Sequence, residues 1–122
     1  MFKRGFNMLD NKAMGSKVRI NISGPVFEFC RDILGRGGRL AEICRGQGST
    51  DNVLEVSEGR SASCFEAVLS YYQTGRLHIP YTVCPGFFKE ELDYWKIDVD
   101  VLSECCMFRY NTGMLYFLYF LF

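Results

Sequence analysis

From Lys17 to Ser23 (KVRINIS) the chain alternates without a break: Val18, Ile20 and Ile22 on one side, Arg19 and Asn21 on the other. A period of two puts those apolar residues on one face of a strand and on no single face of a helix. Gly24-Pro25 is a turn signal, and Val26 to Phe29 (VFEF) supplies a second short strand, so the pair reads as a hairpin. The opposite constraint comes later. Phe65, Val68, Leu69 and Tyr72 fall at i, i+3, i+4 and i+7, one apolar stripe of a helix. Ser63 and Glu66 have capping-box spacing at its start. Gly75 stands where a left-handed residue ends it.

The remaining segments follow from weaker signals. Arg31 to Leu34 and Arg39 to Cys44 each hold a helical turn or two, separated by Gly35, Gly37 and Gly38. Gly46 to Asp51 (GQGSTD) is a loop and Asn52 to Val56 a short strand. Leu77 to Ile79 is extended before Pro80. A second helix begins near Pro85, with Phe88, Leu92 and Trp95 on its apolar stripe. Asp98 caps a third helix over Val99 to Cys106. Strands come first and helices after, which defines an α+β chain rather than a βαβ repeat. Residues 1–16 form a leader, 17–106 the folded domain and 107–122 an apolar tail.

Composition narrows the function classes. A chain of 122 residues fits one domain with a core of its own. Its 14 basic and 14 acidic residues cancel, so no charge surplus calls for nucleic acid. No secretory signal is visible, because Gly5 to Lys12 (GFNMLDNK) is not an apolar segment. That places the six cysteines in a reducing compartment, as core thiols or metal ligands rather than disulfides. The terminal run Met114 to Phe122 is apolar throughout, yet only about half the ~20 residues of a membrane span.

The single histidine and three of the cysteines stand in the spacing H-x5-C-x20-C-C: His78, Cys84, Cys105 and Cys106. Imidazole and thiolate are the ligand types that zinc selects, four of them in a tetrahedron. His78 and Cys84 flank an extended loop, and the adjacent cysteines stand at the end of the third helix. Adjacent residues of a regular helix diverge, so both reach one metal only where the backbone leaves it. The spacing leaves open whether all four ligands come from one chain. It also leaves open buried thiols with a loop histidine, a catalytic Cys–His pair, and a thiol oxidoreductase with a reactive cysteine.

Other signals carry less. The GRGGR stretch, Gly35 to Arg39, lacks the Lys and Ser/Thr of a phosphate loop and reads as a flexible turn. Phe65, Leu69, Tyr72 and Trp95 are core residues. Glu90 and Glu91, and Asp98 with Asp100, take solvent-facing or capping positions rather than those of paired catalytic acids.

Val18 to Gly24 (VRINISG), Phe65 to His78 (FEAVLSYYQTGRLH) and Glu90 to Trp95 (EELDYW) resemble the cytoplasmic tetramerisation domain of voltage-gated potassium channels, a BTB/POZ-like fold. The resemblance covers about residues 17–106. The H-x5-C-x20-C-C spacing is similar to the zinc signature of the non-Shaker branches, the Shaw, Shab and Shal types. The resemblance implies a non-enzymatic assembly domain, with Zn²⁺ bridging neighbouring subunits: His78, Cys105 and Cys106 from one chain, Cys84 from the next. It implies identical or closely related channel subunits as partners in a tetramer, and a place on the cytoplasmic face of the plasma membrane. No small-molecule substrate or nucleic acid is expected, and contact with the membrane comes only through a full-length channel. The other implied role is that of a BTB-type adaptor for a cullin ubiquitin ligase.

The sequence departs from that family in two places. The family's Asp-Arg dipeptide is matched only by Arg60, in Glu58-Gly59-Arg60-Ser61. Leu34 to Leu40 (LGRGGRL) replaces its Pro-Asp-Thr motif, and residues 30–57 match poorly overall. Met107 to Phe122 carries neither voltage sensor nor pore, so this stretch of sequence is not expected to conduct ions alone.

Overall fold

The computed structural model describes residues 17–45, 53–56 and 59–121; the expected leader at 1–16 and the loop at 46–51 lie outside them. The chain forms two compact units, Met1–Glu58 and Gly59–Phe122.

The first unit is built on the alternating segment. Strand β1 (Lys17–Ile22) pairs antiparallel with β2 (Val26–Cys30), in a register that sets Val18 opposite Phe29 and Ile20 opposite Phe27. Val18, Ile20 and Ile22 are buried while Lys17 and Arg19 are exposed, as the period of two requires. The turn works because Ser23 and Gly24 adopt positive φ (56° and 123°) and Asn21 Oδ1 accepts from the Gly24 N–H at 2.8 Å.

The third strand departs from a simple hairpin. Strand β3 (Val53–Val56) pairs parallel with β1 on the side away from β2, giving the order β2-β1-β3. Parallel neighbours need a crossover, and helical segments on residues 31–45 lie along it. A 3-10 stretch (Arg31–Arg36) and helix α1 (Gly38–Arg45) are the two helical pieces expected around the glycines. Gly37 separates them and Gly38 opens the second, both at φ 77°, a conformation open to glycine at little cost. The Arg31 guanidinium donates to the Cys44 carbonyl at 3.0 Å and ties the two pieces together. Cys44 is fully buried, and desolvation pushes its thiol up despite Arg31, so it behaves as an apolar core residue.

In the second unit, helix α2 (Ala62–Thr74) buries Phe65, Val68 and Tyr72 and leaves Leu69 half-buried. Its cap is not the expected Ser63/Glu66 box. Ser61 is the N-cap, its hydroxyl accepting from the Cys64 N–H at 3.1 Å, while Ser63 lies inside the helix and is exposed. The backbone of Ser61 is extended (φ −93°, ψ 123°), the geometry a cap needs and a residue within the helix lacks. Gly75 closes the helix at φ 84°, donating to the Tyr71 carbonyl at 2.8 Å.

Helix α3 (Pro85–Trp95) buries Phe88, Leu92 and Trp95 as its stripe predicts, and Trp95 meets Phe65 at 5.1 Å between ring centroids. The third helix differs from expectation. Asp98 caps only a single 3-10 turn (Val99–Val101), accepting from the Asp100 N–H at 2.9 Å. Leu102 then turns extended, bridges Leu77 in parallel, and lets the Ser103 N–H reach the Leu77 carbonyl at 2.9 Å. Only at Glu104 does helix α4 begin, and it runs to Leu121, through the stretch read as an apolar tail.

Helix α4 rests on the start of α3. A Cβ built at Gly113 would fall 2.3 Å from Pro85 Cγ and 2.9 Å from its Cβ, so only glycine permits this approach. Among the described residues no helix is long and apolar enough to cross a membrane.

Candidate metal centre

Two backbone features bring three of the four candidate ligands together. Leu77, fully buried, is held against Leu102 by the isolated bridge, which fixes the neighbouring His78 beside the entry to α4. Cys105 and Cys106 occupy the first turn of α4, at the start of a helix rather than at the end of one as the sequence suggested. His78 Nδ1 lies 3.3 Å from Cys105 Sγ and 3.6 Å from Cys106 Sγ. The ligand atoms of His78, Cys105 and Cys106 all fall within 4.8 Å of one another. Zn–S of ~2.3 Å and Zn–N of ~2.0 Å, at a tetrahedral angle, separate sulfur from nitrogen by about 3.5 Å. Both sulfur–nitrogen distances lie close to that value, and the group could hold a metal ion.

The environment of the three differs. Cys106 is buried, and its sulfur accepts from the Ile79 N–H at 3.4 Å. Cys105 and His78 are exposed. Although exposed, the Cys105 thiol is held above its ordinary value, by desolvation first and then by the hydrogen bond and charge of Cys106. Binding a metal at Cys105 must therefore displace its proton. The open side of His78 gives onto a recess of about 340 Å³ lined by Ser63, Glu66, Ser70 and Thr82.

Cys84 is not part of this group. Pro80 to Val83 make a turn, the Val83 N–H reaching the Pro80 carbonyl at 3.3 Å, and carry the chain away. Cys84 ends as the exposed N-cap of α3, its sulfur accepting from the Phe87 N–H at 3.4 Å. Of the four sequence candidates, the structure unites three and presents the fourth elsewhere on the surface.

The acidic pair reads differently from its sequence. Glu90 is exposed, but Glu91 is buried at 1% exposure, and Arg60 Nη1 stands 3.6 Å from its carboxylate. The Arg60 guanidinium also lies 4.1 Å from the centre of the Tyr94 ring. Burial pushes the Glu91 carboxyl up; Arg60, the Ser61 backbone and the Trp95 indole pull the other way. Among the described residues, however, neither Glu91 Oε1 nor Trp95 Nε1 completes a well-formed hydrogen bond. The solvent-facing position expected of Glu91 is thus corrected: α3 presents that face to the interior, with Leu92 and Trp95. Asp98 and Asp100 are exposed at the cap of the 3-10 turn, as expected.

Sequence comparison supplies the class. The BTB/POZ domain family matches residues 18–105. Potassium voltage-gated channel subfamily V member 1 of Homo sapiens is 41% identical over 122 residues, covering 80% of this chain and 24% of the relative. The Bos taurus protein of the same name is 32% identical over 120 residues, with the same coverage. Voltage-gated potassium channel KCNC3 of Homo sapiens is 35% identical over 102 residues, 78% of this chain and 14% of the relative. The chain belongs to the BTB/POZ domain family. It is similar in particular to the potassium-channel tetramerisation form of that domain, as the sequence blocks at 18–24, 65–78 and 90–95 indicated. It spans about a quarter or less of the length of these curated relatives.

Proposed function

We propose that this domain assembles voltage-gated potassium channel subunits into a four-fold ring, with a zinc ion bridging each contact. His78, Cys105 and Cys106 of one chain would supply three ligands and Cys84 of the next the fourth. The observation that carries this reading is the pairing of a preformed three-ligand group with an exposed cysteine that its own chain directs elsewhere. A structural zinc site is closed by four protein ligands, and a group of three is one short. Three thiolates and one neutral imidazole around Zn²⁺ leave about one negative charge, typical of such sites.

Head-to-tail contacts close into a ring when the rotation between neighbours is a whole-number fraction of a turn, here a quarter. A metal at each contact adds stability and rejects subunits that lack the ligands, which makes it a device for selecting partners. The role is one of assembly rather than catalysis, and it belongs on the cytoplasmic face of the membrane as part of a larger channel.

Mixing two defective chains tests the shared site. Cys84→Ser and His78→Ala should each fail to form zinc-bridged rings. Mixed, they should recover zinc at up to about half of the contacts, where an intact Cys84 meets an intact three-ligand group. Absence of any recovery would mean that the ligands are not shared between chains.

A further inference from the structure

The metal-ligand loop is tied to its helix by a residue outside the ligand set. Arg109 lies one turn beyond Cys105 and Cys106 on α4, so it projects over the same face of the helix. Its guanidinium donates to the Ile79 carbonyl at 2.5 Å and to the Pro80 carbonyl at 3.4 Å. It also lies 5.3 Å from the centre of the Tyr81 ring. The residues it grips, Ile79 to Tyr81, directly follow His78. The Ile79 peptide is held at both ends, since its N–H donates to Cys106 Sγ at 3.4 Å.

We propose that Arg109 is a positioning residue of the metal centre, holding the His78 loop against the first turn of α4 so that imidazole and thiols are set before the metal arrives. The inference rests on the metal reading above. The physical reason is the origin of the ligands, which come from two segments 27 residues apart. Without a clamp, metal binding must also order the loop. A planar guanidinium can serve two carbonyls and an aromatic face at once, which an ammonium cannot. Partners of this kind, one shell out from the ligands, commonly change metal affinity by about 10–100-fold.

The test uses the whole chain. Zinc affinity is measured by competition with a chromophoric chelator, and ligand geometry from the cobalt(II) absorption bands, for wild type, Arg109→Met, Arg109→Lys and a control, Lys89→Met. The control loses a lysine ion pair on the surface of α3. Arg109→Met should bind zinc about 10–100-fold more weakly and shift the cobalt bands. Arg109→Lys should fall between it and wild type, and Lys89→Met should match wild type. Melting of the metal-free proteins separates positioning from general stability. An affinity loss fully matched by a fall in metal-free melting would overturn the inference, as would wild-type affinity in Arg109→Met. If Arg109→Met does not fold, Arg109→Lys decides, and wild-type affinity there overturns it. A wild-type chain that takes up no metal would sink the metal reading itself, a result distinct from the others.

Discussion

The Arg60 guanidinium stands 3.6 Å from the carboxylate of Glu91, whose side chain is 2% exposed against 25% for Arg60. Removing the arginine takes away the countercharge of a buried carboxylate and leaves it only the weaker support of the Ser61 backbone and the Trp95 indole, whereas removing the carboxylate leaves no buried charge. Arg60→Met should therefore cost about 1–3 kcal/mol, below the 3–5 of a fully buried pair because Arg60 is partly hydrated. Glu91→Gln should cost less. Urea unfolding of both variants checks the order, and equal costs would contradict it.

The same pair sets a pH dependence. Burial raises the folded-state value of Glu91 above its unfolded one. Folding is then penalised as pH rises from the ordinary glutamate value, about 4.3, through the raised folded value, and the penalty vanishes below both. The stability of Arg60→Met relative to Glu91→Gln should accordingly recover as pH is lowered from neutrality toward that range. A gap independent of pH would show that the buried charge is not its cause.

Gly113 against Pro85 gives a prediction opposite to helix propensity. In an open helix Ala is more favourable than Gly by about 1 kcal/mol. Here the added methyl meets a rigid ring at 2.3 Å. Overpacking of about 1–3 kcal/mol then outweighs propensity, so Gly113→Ala should lower the melting temperature. A rise would mean that α4 does not rest on Pro85.

The helix start at Ser61 separates two serines that sequence alone did not. Ser61→Ala should cost about 1 kcal/mol and Ser63→Ala close to nothing. Thermal unfolding of the two variants distinguishes them, and the reverse order would restore the capping box.

The cap illustrates what the sequence could and could not carry. The alternation of Val18, Ile20 and Ile22 and the stripes through Phe65 and Trp95 are periodic over several residues, and the structure follows them. Ser61 and Ser63 are both good caps two residues apart, and only the backbone turn into the helix chooses between them. The long-range outcomes had no local signal. The parallel pairing of β3 with β1 joins residues across the whole crossover. The bridge between Leu77 and Leu102 splits one expected helix into a 3-10 turn and α4. Glu91 follows Glu90 in sequence, so two acids suggested solvent, yet its spacing of four from Trp95 on α3 pointed inward. The grouping of His78, Cys105 and Cys106 was legible in advance because His and Cys are rare and chemically distinctive. Arg109 was not, because its partners are backbone carbonyls, which leave no mark on the sequence.

Metal binding should weaken in acid. Thiols and imidazole must give up their protons to ligate, so affinity falls as pH drops and protons compete with the metal for the same atoms. Zinc occupancy followed from neutral to mildly acidic pH should decline together with the assembled fraction. Rings that persist without zinc would separate assembly from the metal.

The most direct test of the central claim is the absolute mass of the chain in solution, measured with its metal content before and after a strong chelator. The expected result is a tetramer with about one zinc per chain that falls to monomer when the metal is removed. A metal-free monomer with all six thiols titratable would contradict it.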